Sequence, residues 1–199
     1  MCSRGGSSPP DPADVREQAA SIHPLRPVVA QFIQGQRVPM DETRFDEFKT
    51  ISSSNVIAAI LKELDECTIA FLNLEDRRYE DYCRIFWGIE DKTRKVVGIT
   101  ANDRQRDEVR QAIVGKLRGI QPPLAASSYY VELHRVTDAA GSLVPDLLVV
   151  EVAVGNGERE YLYSSQGGSV YIRQDSGNCH LQGQFLVAEI RRRIRSGLM

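Results

Sequence analysis

The chain reads as an α+β domain, a mixed sheet with helices packed over it. Three observations predict this. Helical apolar stripes over 55–72, 105–117 and 182–195 are separated by short alternating or apolar runs. The runs and stripes follow the order β-α-β-β-α-β-β-β-α, which lacks the strict alternation of a doubly wound parallel sheet. Leu147 to Val154 is almost continuously apolar, as expected of a central strand buried on both faces.

In chain order, residues 1–13 are rich in Ser, Gly, Pro and Asp and lack periodic apolar positions, which predicts disorder. A short helix over 14–20 is stopped by His23-Pro24-Leu25-Arg26-Pro27. Residues 1–26 are therefore expected to be a loose N-terminal segment and 27–199 the folded domain. After the apolar run 28–33, Gln34 to Arg37 reads as a turn into an acidic strand, Asp41 to Lys49. In the helix over 55–72, Ile57, Ile60, Leu61, Leu64, Phe71 and Leu72 form the inner stripe, while Glu63, Asp65 and Glu66 form a solvated face. Tyr82 to Ile89 is a strand that turns at 92–95 into a second over 96–99. Asn102 caps the helix over 105–117, and Gly119 with Pro122-Pro123 ends it. Tyr129 to His134 alternates, with Tyr130, Glu132 and His134 on a wet face. Further strands are expected at 160–163 and 170–173. The last helix points Leu186, Ile190 and Ile194 inward and leaves Arg191, Arg192, Arg193 and Arg195 as a basic patch.

Composition narrows the function classes. The chain has 199 residues, 42% hydrophobic and 26% charged, with a net charge of -2, so polyanion binding has to come from a local basic surface. Four Cys without a C-x-x-C pair and three scattered His argue against structural zinc. No apolar run is long enough to span a bilayer and no signal peptide is visible, so the expected setting is intracellular, cytoplasmic rather than nuclear. There is no phosphate loop of the G-x-x-x-x-G-K-(S/T) kind, which argues against a nucleotide-driven enzyme.

The densest chemical signal is Glu42-Thr43-Arg44-Phe45-Asp46-Glu47-Phe48-Lys49. Glu42 and Glu47 lie on opposite faces of a regular strand and converge only if Glu42 sits in a turn or bulge leading into it. A solvated, charged edge strand is the other reading of the same spacing. This segment resembles the E-(S/T)-x-x-x-E-F-K stretch of the Schlafen family's Alba-like core. Ala70-Phe71-Leu72-Asn73, Phe86-Trp87-Gly88-Ile89-Glu90-Asp91, Val97-Gly98-Ile99 and Val170-Tyr171-Ile172-Arg173 match family segments in the same order. The resemblance runs from about Phe32 to Ile194 and is greatest to single-domain Schlafen-like proteins. The chain departs from the pattern after Asn73, where Leu74 to Asp81 replaces a short turn with two glycines.

The resemblance implies a Schlafen/Alba-like fold and a metal-dependent endoribonuclease acting on structured RNA, a tRNA or small RNA precursor. Its acidic trio falls on Glu42, Glu47 and Asp91, the expected catalytic and metal-binding residues, with Glu90 an alternative to Asp91. Mg²⁺ or Mn²⁺ is the expected ion, since hard carboxylates suit it and soft ligands are absent. Lys49 and Arg173 are the expected nucleic-acid contacts. The family's core has two such lobes, so a homo- or heterodimer with another Schlafen-like domain is expected. A non-catalytic RNA- or partner-binding subunit is the other functional reading.

Overall fold

The computed structural model describes residues 31–75, 82–155, 157–158, 160–174 and 177–198. Within it, residues 31–199 form one compact unit. The expectations for 1–26, for the first half of the run 28–33 and for most of Leu74 to Asp81 lie outside the described residues.

The main sheet contains β1 (Phe32–Ile33), β2 (Asp46–Lys49), β3 (Tyr82–Trp87), β4 (Ile99–Thr100), β5 (Tyr129–Thr137) and β6 (Leu143–Gly155). Its order is β1-β5-β6-β3-β2, with β4 also paired to β6. The sheet is mixed: β1 runs parallel to β5 and β2 parallel to β3, while β3, β4 and β5 are all antiparallel to β6. Two further strands, β7 (Val170–Gln174) and β8 (Gly177–Leu181), form a separate antiparallel hairpin.

Helix α1 (Val56–Leu72) begins where the Asn55 side chain accepts from the Ala58 N–H. Helix α2 (Asp103–Leu117) begins with a reciprocal pair in which Asn102 accepts from the Gln105 N–H and Gln105 from the Asn102 N–H, a capping box. Both helices pack on one face of the sheet. Ile60, Leu64, Phe71, Val109, Ile113 and Leu117 meet Ile85, Trp87, Val150 and Val152 there in a single core.

Strand β6 is buried over most of its length, as its apolar run requires, but Glu151 in its middle is also fully buried. Tyr130 Oη donates to Glu151 Oε1 over 2.7 Å, and His134 Nε2 stands 2.7 Å from Oε2. The expected wet face of β5 is therefore half-buried at Tyr130 and His134, because Glu151 needs partners there.

Three other expectations are corrected. The turn expected after the 82–89 run is present, with Ile89 bridged to Val96 and the Gly88 carbonyl taking the Val97 and Gly98 N–H groups, but β3 ends at Trp87 and the second strand is only β4, which pairs with β6. Residues 160–163 form no strand among those described: the Tyr163 backbone is bound by the Asn73 side chain, the Tyr161 carbonyl by Arg193, and the Tyr161 N–H turns back to the Glu158 carbonyl. In the last helix, α3 (Gly183–Arg195), Ile194 is exposed and Arg193 is the buried residue. The surface under α3 presents the carbonyls of Asn73 and Tyr161, and Arg193 donates to them over 2.8 and 3.2 Å. A surface of acceptors suits an arginine better than a leucine or isoleucine.

Candidate functional site

Thr43 explains how Glu42 and Glu47 come together. Its hydroxyl accepts from the N–H groups of Phe45 and Asp46 (3.0 and 3.1 Å) and donates to Asp46 Oδ2 (3.0 Å), and its N–H bonds the Asp46 carbonyl. This closes a hydroxyl-stabilised turn ahead of β2. Asp46 is itself fixed on the far face of the sheet by Arg84 Nε at 2.7 Å. The turn folds Glu42 back along the edge of β2 not used by β3, where its Oε1 accepts from the Phe48 N–H over 3.2 Å. Glu42 thus leads into the strand from a turn, as its spacing predicts.

Strand alternation then divides β2. Asp46 and Phe48 face away from the helices, whereas Glu47 and Lys49 lie on the helix side. Glu42, Thr43, Arg44, Glu47, Asp91, Arg173, Gln174 and Gly177 line one cavity of about 510 Å³. The third acid reaches it through the tight turn after β3. Gly88 there has φ +102°, and a Cβ would press within 3.1 Å of the Gly98 Cα. In the following turn Glu90 takes a hydrogen bond from the Thr93 hydroxyl, and Asp91, not Glu90, lines the cavity.

The electrostatics show that the three acids interact. The Glu42 carboxyl is held above its usual range chiefly by burial. The Phe48 hydrogen bond opposes that shift, the charges of Glu47 and Asp91 add to it, and Lys49 partly offsets it.

Glu47 is nearly buried and ion-paired on both oxygens. Lys49 Nζ stands 2.6 Å from Oε1 and Arg173 Nη2 2.6 Å from Oε2. Burial alone would depress Lys49, but the Glu47 hydrogen bond and charge outweigh it, so its pKa is raised. Arg173 is held on its other sides as well: Nη1 donates to Asn178 Oδ1 (3.0 Å), Nη2 lies 3.5 Å from the Thr43 carbonyl, and the guanidinium sits 5.4 Å from the centre of the Phe71 ring. Asn178 in turn contacts Cys67 Sγ at 3.5 Å; burial, and next the charge of Glu47, push that thiol up to about 12.

All five residues expected from the sequence are therefore gathered in one region, four of them lining the cavity and Lys49 reaching it through Glu47. Sequence reading missed Asn178, on the unrecognised strand β8, and Arg44, which also lines a neighbouring groove with Arg173, Arg192, Arg193, Glu75 and Glu189. The expected basic patch on α3 is partly neutralised, since Arg192 pairs with Glu75 and Glu189, and Arg193 with Glu189.

The donor set has the hard oxygen chemistry of a Mg²⁺ or Mn²⁺ site. As placed, however, the set is not closed. Among the described residues, no three His, Cys, Asp or Glu side chains are grouped so as to hold a metal ion, and both Glu47 oxygens face cations of the chain.

A mixed α+β sheet with an acid-lined cavity bordered by arginines defines the class. The Schlafen, AlbA_2 family model matches residues 42–182, more than half of the chain, and the chain belongs to that family. Membership supports a nucleic-acid-related role. Among solved structures, the chain is similar to the DIP2311 protein from Corynebacterium diphtheriae, with 18% identity and a TM-score of 0.48. That likeness covers 85% of this chain and 26% of the other, so the chain spans about a quarter of that protein's length. No curated protein matches the chain. Among the described residues no helix is long and apolar enough to cross a membrane.

Proposed function

We propose that this domain is a metal-dependent endoribonuclease or RNA-processing subunit that cleaves structured RNA, such as a tRNA or small RNA precursor. The observation that carries the reading is the convergence of Glu42, Glu47 and Asp91 on one cavity beside Arg173 and Arg44. Glu42 and Asp91, joined by Glu47, would hold Mg²⁺ or Mn²⁺. When bound, such an ion offsets the negative charge that builds on phosphate oxygens during cleavage and lowers the pKa of a bound water. The chain's own part is to seat the RNA backbone. Arg173 offers a planar fork to phosphate oxygens and Lys49 a compact charge beside it. The Thr43 turn keeps Glu42 against the strand edge, so this carboxylate does not have to be ordered when RNA arrives.

The second reading, a non-catalytic RNA- or partner-binding subunit, is favoured by the double ion-pairing of Glu47. Incubating purified protein with labelled tRNA, with and without Mn²⁺, separates the two. Metal-dependent cuts support the nuclease, whereas RNA binding without cuts supports the binding subunit.

Association with a second Schlafen-like domain is part of the proposal, since one lobe presents half of an enclosed groove. Light scattering at high micromolar protein that gives a strict monomer, together with recovery of no partner from cells, counts against it.

A further inference from the structure

The residue expected to hold the cation and the residues expected to hold the phosphate are each other's partners. Glu47 closes on Lys49 and Arg173 at 2.6 Å each, and the side chains of Glu47 and Arg173 are only 10% and 9% exposed. In this arrangement a divalent ion approaching Glu47 meets a carboxylate already neutralised. A phosphate approaching Arg173 meets a guanidinium already bridged. At this pair neither ligand finds a free group, yet both Glu47 and Arg173 line one cavity.

Arg173 does not depend on Glu47 for its position. Asn178, the Thr43 carbonyl and the Phe71 ring hold it from other directions. The guanidinium therefore stays in place if the carboxylate leaves. A phosphate presents oxygens that an arginine fork accepts as readily as those of a carboxylate. Exchange of one anion for the other at Arg173 needs no rearrangement of the guanidinium, and Lys49 is freed with it. It would leave Glu47 beside Glu42 and Asp91 with its counter-charges gone, and three uncompensated acids repel one another until a cation joins them.

We propose that Glu47 is a counter-ion latch: an RNA phosphate displaces it from Arg173 and Lys49, and that displacement frees its oxygens for a divalent cation. RNA and cation then tighten each other's binding by the same factor, because the coupling is reciprocal. No covalent bond changes in this step; ion pairs are exchanged. The inference rests on the nuclease reading for the identity of the two ligands.

The test measures Mn²⁺ binding to the full chain by the loss of the free-ion paramagnetic resonance signal, with and without a 2′-O-methylated RNA hairpin that resists cleavage. Wild-type protein is expected to bind Mn²⁺ at least tenfold more tightly when the hairpin is present. Arg173→Gln should bind it more tightly than wild type without RNA. Lys49→Gln should move the same way and carries the test if Arg173→Gln does not fold. Glu47→Gln, run with the same hairpin, measures the Mn²⁺ bound by RNA itself and should show no gain beyond that of the hairpin alone. Equal Mn²⁺ affinity in wild type and in the folded cation variants, or an RNA effect undiminished in Glu47→Gln, overturns the latch. Cleavage of unmodified RNA by wild-type protein keeps the two ideas apart. Metal-dependent cleavage without coupling sinks the latch alone, and coupling without cleavage sinks the nuclease reading alone.

Discussion

Asn73 is bound to the Tyr163 backbone in both directions. Its Oδ1 accepts from the Tyr163 N–H over 2.7 Å, and its Nδ2 donates to the Tyr163 carbonyl over 2.8 Å. The same Nδ2 also reaches the Tyr171 carbonyl at 2.9 Å, and the Asn73 carbonyl takes Arg193 of α3. Asn73, buried at the end of α1, therefore ties down the segment before β7 and the β7 strand with its side-chain amide and the last helix with its backbone carbonyl. Asn73→Ala would leave several buried backbone groups unpaired, at about 1–3 kcal/mol for each that finds no water. A loss of at least about 2 kcal/mol in urea unfolding is expected. An unchanged midpoint would show that the amide is not the anchor.

The acids should separate activity from stability, but not all alike. Glu42→Gln and Asp91→Asn remove carboxylates at the rim of the cavity, and exposed sites of that kind usually shift stability by less than about 0.5 kcal/mol. Losing a ligand to a catalytic ion should cost two or more decades in cleavage rate, several kcal/mol of barrier. Glu47→Ala should lower the melting temperature as well, because it strands Arg173 and Lys49 next to each other in a largely buried place. Cleavage rates and thermal melts of the three variants test this. Three variants that cleave as fast as wild type would end the nuclease reading.

Arg44 lines both the acidic cavity and the arginine-lined groove beside it. Arg44→Ala is expected to weaken RNA binding and to reduce the slope of log affinity against log salt by roughly one phosphate contact. Melting should not change. An RNA affinity and salt slope equal to those of wild type would place the RNA path elsewhere.

Acid should loosen α3 before it reaches the main core. Hydrogen bonds from Arg192 hold the Glu189 carboxyl down at about 2; burial opposes them, and Arg193 adds to the lowering. A carboxyl whose folded pKa is depressed contributes stability above its unfolded value, near 4.5, and that contribution is lost as pH falls toward 2. Hydrogen exchange of 183–195 should therefore rise between about pH 4.5 and 2 relative to α1. Equal protection of both helices across that range would contradict this. Glu189→Gln should remove the pH dependence.

Much of this architecture was legible from side-chain spacing. The α1 stripe and the Asn102 cap are local signals, and local signals survive folding. Glu42 and Glu47 could be brought together on paper because a turn was the only way to place them side by side, and Thr43 supplied it. The Glu47–Arg173 ion pair was not legible in the same way. It joins β2 to the β7–β8 hairpin, and nothing in either segment names the other. Helix α3 misled for a different reason. Its isoleucines have the right period for an inner stripe, but the surface below offers carbonyls, and the buried contact went to Arg193. Glu151 was a visible exception inside an apolar run, and a buried acid there required the donors that β5 provides.

Strand β6 has a consequence for synthesis. It is the common neighbour of β3, β4 and β5, and it reaches Gly155. On a translating ribosome, β3 and β5 emerge before the strand that joins them. Until β6 emerges the sheet has no centre, and β2–β3 and β1–β5 are two separate pieces with open edges. Such edges bind other chains readily. The interval between the emergence of β3 and the completion of β6 is thus when the nascent protein most needs a chaperone, and a pause in translation there should raise the yield of aggregate.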